Sequence, residues 1–460
     1  VNVPVIVPAR YPRLYEAFRQ AVQRTLQLLR PTLANPPRWP TREVGTIVFQ
    51  ENRSHEDRAL QEFPQDALRS VIEDLRSDPT YQRAVAELER LRTEGCAVPD
   101  WFGLDNRFLV PTIANYLEKQ RSVDFNEEVF QEVYYQLEDY LNRDSLQVRV
   151  YYELQGLEGD EAEVVLSETH RIYKIDEAEI NRLWSIVSPP GFPAQLFPHR
   201  SWPMPGTYLL AALVSIQKSE LGNLSLAMLD EGKRTTSALR FSALGAGPVN
   251  FYTYKEEGFE ASIGRLGFAP SLKGGRFSYG LSPESAETLK RNWPTAYEFS
   301  SALQKTPEKT PMHLRIAGLR FSSSCDKETR EDRLIDYAIA FEALFTKEDD
   351  AISYRLPLRT AAFIGDTEVR RSDVFALIKT TYDLRSRLAH GRSQLDDSVK
   401  VGGVKISPEE LLDKVGAVLF DSLHRFLQSR KRTTSKDEVL RQIDQAIISM
   451  DRHDLERLWS

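Results

Sequence analysis

The spacing of apolar residues changes twice along this chain, from a helical repeat to an alternating one and back. Leu14, Phe18, Val22, Leu26 and Leu29 recur at helical spacing, and Ala67 to Leu91 carries a second amphipathic pattern. Residues 1–145 therefore read as a mainly helical N-terminal region, interrupted by Pro and aromatic residues near Val98 to Val110. From Leu146 the period drops to two. Val148, Val150 and Tyr152 share one face, and Glu163 to Ile175 alternates again, which predicts a strand pair. Asp176-x-x-Glu179 has the form of a capping box and predicts a helix through Trp184. Leu209 to Ile216, Ser237 to Phe241 and Phe251 to Tyr254 read as short strands between Gly-rich turns. Ser282-Pro283 opens a helix that Pro294 should kink or break.

Past Pro311 the helical repeat returns. Leu334 to Phe345 is apolar nearly all round, so this helix should be central. Further helices are predicted over Pro357–Ile364, Ser372–Ala389, Glu409–Leu427 and Lys436–Met450. Ser407-Pro408-Glu409-Glu410 joins an N-cap, a Pro at the first helical position and a capping Glu, and Val401-Gly402-Gly403-Val404 has the form of a hairpin turn. At 460 residues the chain exceeds one ordinary domain. The expected architecture is an α+β multidomain protein: helical over 1–145, α+β and strand-rich over 146–308, and an all-α bundle over 309–460.

Composition narrows the function. The net charge is −7, most of it carried by the first 300 residues, which argues against a protein that coats nucleic acid nonspecifically. A phosphate-contacting site would need only a local basic patch. Arg430-Lys431-Arg432 reads as a solvated inter-helix loop, or else as such a contact. Two cysteines, Cys96 and Cys325, exclude a Cys-based zinc cluster or a disulfide framework and fit a reducing cytoplasm. The longest apolar stretch, Tyr208 to Ile216, is far short of a membrane span, so no membrane partner is expected. Val1 to Pro8 lacks a basic flank and is broken by Pro4 and Pro8, so it reads as an extended segment, not a signal peptide.

Most site patterns are absent. There is no phosphate-binding Gly-x4-Gly-Lys-Ser/Thr, Gly245-Ala246-Gly247 runs into Pro248, and His55-Glu56-Asp57 lacks a second zincin His. What remains is Tyr382-Asp-Leu-Arg385-Ser386-Arg387-Leu-Ala-His390-Gly391. Metal-free RNA cleavage needs a group that moves protons at the ribose 2′-OH and the leaving 5′-oxygen. It also needs a cation for the developing phosphorane charge. Histidine titrates near neutrality and suits the first task, and the planar guanidinium suits the second. Among the seven histidines only His390 has an Arg five, six or seven positions before it.

On a regular helix Arg385 and His390 lie roughly 140° apart, so one helix cannot aim both at one atom. Either the helix end unwinds, or a second copy of the chain completes the site. Ser386 shares the face of His390, and Tyr382 does so loosely. Glu342 stands on the apolar stripe of Ile335, Ala338 and Ile339, where a carboxylate needs a partner, and Arg385 is the natural one. A purely structural arrangement remains open: a Glu342–Arg385 pair locking two helices, with His390 capping one of them.

Residues from roughly Arg320 to Ile448 resemble the HEPN superfamily, and in particular its Apea-like branch. The resemblance rests on Arg333-Leu-Ile-Asp-Tyr-Ala-Ile-Ala-Phe-Glu-Ala-Leu-Phe345, Arg359-Thr-Ala-Ala362 and Tyr382-x-x-Arg-Ser-x3-His-Gly391. It implies a bundle of four to five helices that dimerises to build a metal-independent ribonuclease site, without a cofactor. Arg385 and His390 take the catalytic positions. Ser386, Glu342 and Tyr382 support them, and Arg387 and Arg392 are placed to contact RNA. In HEPN toxins paired with small nucleotidyltransferases a Tyr follows the motif His by two positions. Arg392 stands there, so regulation through that Tyr is not expected. The resemblance implies bacterial defence or toxin–antitoxin action in the cytoplasm, with residues 1–308 engaging a trigger or regulatory protein. The rival expectation is a non-catalytic scaffold that binds RNA, a nucleotide or a partner protein.

Overall fold

A computed structural model describes residues 9–31, 71, 73–94, 104, 108–120, 122–154, 157–176, 206–217, 224–242, 249–256, 266–267, 279–347, 351–391, 394–429 and 435–449. The remaining segments contain Val1–Pro8, the Glu179–Trp184 part of the expected helix, Gly245–Gly247, His55, Cys96, Arg392 and Arg430–Arg432; these lie outside the described residues. The protein is mixed helix and sheet, with a helical C-terminal region. It divides into two compact units that interleave along the chain: Val1–Glu153, Thr169–Asp230 and Phe251–Ala269 form one, and Leu154–Glu168, Glu231–Asn250 and Pro270–Ser460 the other.

The first unit begins with helices α1 (Pro12–Leu29), α2 (Pro79–Thr93), α3 (Val110–Gln120) and α4 (Glu127–Asn142). The apolar repeat of α1 is its buried face: Leu14, Phe18, Val22, Leu26 and Leu29 are all 3% exposed or less. The Asp78 side chain caps α2 by accepting from the Thr80 amide at 2.9 Å, and Asn126 caps α4 through the Glu128 amide at 3.0 Å. Among the described residues ahead of Ser282 the strands are β1 (Ser145–Leu154), β2 (Leu157–Gly159), β3 (Glu163–Val165), β4 (His170–Lys174), β5 (Tyr208–Gln217), β6 (Val249–Glu256), β7 (Leu266–Gly267) and β8 (Tyr279–Leu281). In the first unit β4, β5, β1, β6 and β7 lie side by side in that order.

The expected pairing of the two alternating stretches is therefore corrected. β5 lies between β4 and β1, and β4 pairs antiparallel with β5 from His170↔Ala212 to Lys174↔Tyr208. Alternation identifies a strand but carries no information about which strand lies beside it.

A second correction concerns Ser237 to Phe241, which is the end of helix α5 (Leu224–Ser242) and not a strand. Five residues are too few to separate a period of 2 from one of 3.6. The hydroxyls of Thr236 and Ser242 fold back to the carbonyls four residues earlier, at 2.8 and 2.7 Å.

The second unit holds helices α6 (Pro283–Lys305), α7 (Met312–Ser324), α8 (Arg330–Phe345), α9 (Ile352–Ile364), α10 (Glu368–Ala389), α11 (Pro408–Ser429) and α12 (Lys436–Ser449), with a hairpin of β9 (Val399–Val401) and β10 (Val404–Ile406) between α10 and α11. Pro294 does not end α6, which continues to Lys305 around the buried Leu289, Trp293, Ala296 and Phe299. Packing on both sides of the proline outweighs the one lost backbone bond. In the same way α9 starts at Ile352, five residues before Pro357.

The expectation of a central helix over Leu334 to Phe345 holds. α8 packs against α7, α9, α10 and α11. Phe345 meets Phe363 and Phe426 edge-on at 5.5 and 5.3 Å. Arg359, 1% exposed, donates to Asp444 through Nε and Nη2 at 2.7 and 2.9 Å and to the Phe345 carbonyl through Nη1 at 2.8 Å. One guanidinium thus joins α9, α12 and the end of α8.

Candidate active site

Helix α10 carries the Arg385 to His390 element, and its core-facing side anchors it. Val374, Leu377, Ile378, Thr381 and Leu384 are buried, while Tyr382 and Leu388 pack partly against the core. The helix stays regular to its end. The His390 amide still donates to the Ser386 carbonyl at 3.2 Å, and the Gly391 amide to Leu388 at 3.1 Å. Gly391 has φ +73°, the left-handed terminator expected of it. The helix thus runs to Ala389 with His390 as its cap, and regular helical spacing sets Arg385 and His390 about 140° apart.

The structure brings Glu342 and Arg385 together across α8 and α10. Arg385 Nη2 lies 3.5 Å from Glu342 Oε2, with the side chains 30% and 19% exposed. This is an ion pair at the long end of the range, not a bidentate clamp. Glu342 Oε1 is buried and has no hydrogen-bond partner among the described residues. Burial raises the carboxyl above its usual range, and the Arg385 charge opposes that shift. The guanidinium thus rests on one weakly held carboxylate and keeps solvent-accessible surface for an anion.

His390 is not part of that pair. It is exposed, as are Arg387 and Gly391, while Ser386 and Tyr382 are half-buried. Arg392 lies outside the described residues. Among the described residues no group of three His, Cys, Asp or Glu side chains converges as metal ligands.

The helix α8 holds a second acid that periodicity did not single out. Asp336 is 2% exposed and accepts from Arg320 Nη1 at 2.8 Å, with Lys327 Nζ at 3.7 Å. Its partners lie on α7 and in the following turn, so only the packed bundle reveals them. The remaining signal missed in the sequence is legible there in principle: a two-residue Gly402-Gly403 turn sets Lys400 opposite Lys405.

Among the described residues no helix is long and apolar enough to cross a membrane. Compared with protein-family models, with curated proteins and with solved structures, the chain matches none.

Proposed function

We propose that the chain is a metal-independent endoribonuclease of the Apea-like HEPN type, acting in bacterial defence or toxin–antitoxin function, with its active site at a homodimer cleft. The observation that carries this reading is the state of the two motif residues. His390 stands exposed at a terminated helix end, and among the described residues Arg385 is held only by the long contact to Glu342. In this reading His390 moves protons at the 2′-OH and the leaving oxygen, and Arg385 binds the scissile phosphate. Glu342 positions Arg385, with Ser386 and Tyr382 in supporting roles. Because the two groups diverge on a regular helix, each catalytic pair joins Arg385 of one copy to His390 of another. Residues 1–308 then receive a trigger or a regulatory protein.

One observation favours the second reading, a non-catalytic HEPN scaffold: within one chain Arg385 already has an acidic partner, and regular helical spacing sets it about 140° around the helix from His390. Incubating the purified chain with tRNA and mRNA in EDTA separates the two. Cleavage that leaves 2′,3′-cyclic phosphate ends and is lost in both Arg385→Ala and His390→Ala supports the nuclease. Intact RNA in every reaction favours the scaffold.

A further inference from the structure

The hairpin after the motif is built around an unfavourable contact. Its register pairs Val401 with Val404, Lys400 with Lys405 and Val399 with Ile406. Gly402 and Gly403, at φ +55° and +94°, form the two-residue turn that this register requires. Val399 and Ile406 are buried, which fixes the face, so Lys400 and Lys405 point together into solvent. The residues flanking a two-residue turn form the hydrogen-bonded pair, so the next pair outward is the kind in which side chains come closest, with Cα atoms about 4.5 Å apart. Like charges placed directly opposite each other there are destabilising. Among the described residues neither lysine has an ion pair, and neither do Lys379 and Arg387 of α10.

The hairpin also has a defined place on the motif helix. A Cβ on Gly402 would sit 3.5 Å from the Ala376 Cβ, so the turn lies over that face of α10. At about 100° per residue, Lys379, Asp383, Arg387 and His390 all fall within about 60° of Ala376 around the helix, while Arg385 falls on the opposite side. All four are exposed. A single surface therefore carries the Lys400–Lys405 pair, Lys379 and Arg387, interrupted by Asp383, and it ends at His390.

We propose that this surface binds the RNA backbone, with Lys400 and Lys405 together contacting successive phosphates and leading the strand along α10 to His390. The proposal rests on the ribonuclease reading and adds the path of the substrate. A polyanion relieves the repulsion between the paired lysines, which nothing else among the described residues offsets.

The test uses the full chain and a fluorescent single-stranded oligoribonucleotide carrying 2′-O-methyl groups throughout, which cannot be cleaved at the ribose. Binding is followed by anisotropy across a salt series. Lys400→Gln/Lys405→Gln should reduce the slope of log K against log salt by about 1.4, or ~0.7 for each lost phosphate contact. Lys405→Glu places opposite charges across the strands and lowers the local charge by as much as the double glutamine variant, so it should raise the melting temperature while also weakening RNA binding. A fold effect alone would not move these two in opposite directions. Unchanged slopes, or a wild type that binds no RNA, overturn the proposal. If ordinary RNA is cut but the slope ignores the lysines, the proposed path fails while the nuclease stands. If binding depends on the lysines and ordinary RNA is never cut, the path holds and the nuclease reading fails.

Discussion

Glu342 shows how a single side chain joins stability to the site. Its folded-state pKa is raised, so folding favours the protonated acid. Its contribution to stability is then fully present below the ordinary carboxyl value of ~4.3 and is lost as pH rises through the folded value. Glu342→Gln, neutral at every pH, removes that loss. The melting temperature of the variant relative to wild type should climb as pH rises above the ordinary carboxyl value; a difference that stays constant as the pH rises would refute the assignment. Arg359 is the contrasting residue, deeply buried and fully engaged. Arg359→Met leaves Asp444, which is 41% exposed and can rehydrate, but it strips the Phe345 carbonyl of its donor. Destabilisation of about 2–4 kcal/mol is expected, read as a lower melting temperature, with the larger share from lost packing and the orphaned carbonyl.

At the scale of elements, termini and turns follow local chemistry and neighbours do not. Ser407 caps α11 through the Glu410 amide at 3.1 Å, and Thr329 caps α8 through the Asp332 amide at 3.1 Å. The first of these caps and the glycine hairpin were legible because each depends on residues within four positions. The start at Pro357 was misread, and Pro294 does not break its helix, because a proline's local preference yields to burial on either side of it. The hairpin itself makes a prediction: Gly402→Ala/Gly403→Ala forces two L-residues into positive φ at about 1–2 kcal/mol each. It should loosen β9–β10 and weaken RNA binding several-fold while α10 stays helical, as circular dichroism would record. Helix α11 carries a different sensitivity. The ring of His424 donates from Nε2 to the Phe241 carbonyl on α5, and burial lowers its pKa. A depressed histidine contributes stability above its ordinary value of ~6.5 that is lost as pH falls, so wild type should lose melting temperature below that point more steeply than His424→Gln.

For the whole molecule, the proposed composite site makes an unusual demand on mixtures. Arg385→Ala and His390→Ala proteins should each be inactive alone. Co-refolded or co-expressed, they should regain up to about a quarter of wild-type cleavage, because half the pairs are mixed and each mixed pair holds one intact site. Mixtures that stay silent while wild type cleaves would place both groups in a single chain.

The boundary between sequence and structure runs through the site itself. The sequence alone determined the helical C-terminal region, the burial of α8, the left-handed stop at Gly391 and the partnership of Glu342 with Arg385. Each of these is written in periodicity, in a glycine or in the cost of an unpaired carboxylate. Only the tertiary structure decided that β5 lies between β4 and β1, that Asp336 is the more deeply buried acid, and that the hairpin lies on the His390 side of α10. Those arrangements join residues far apart in the chain, and local spacing carries no record of which distant surface an element will meet.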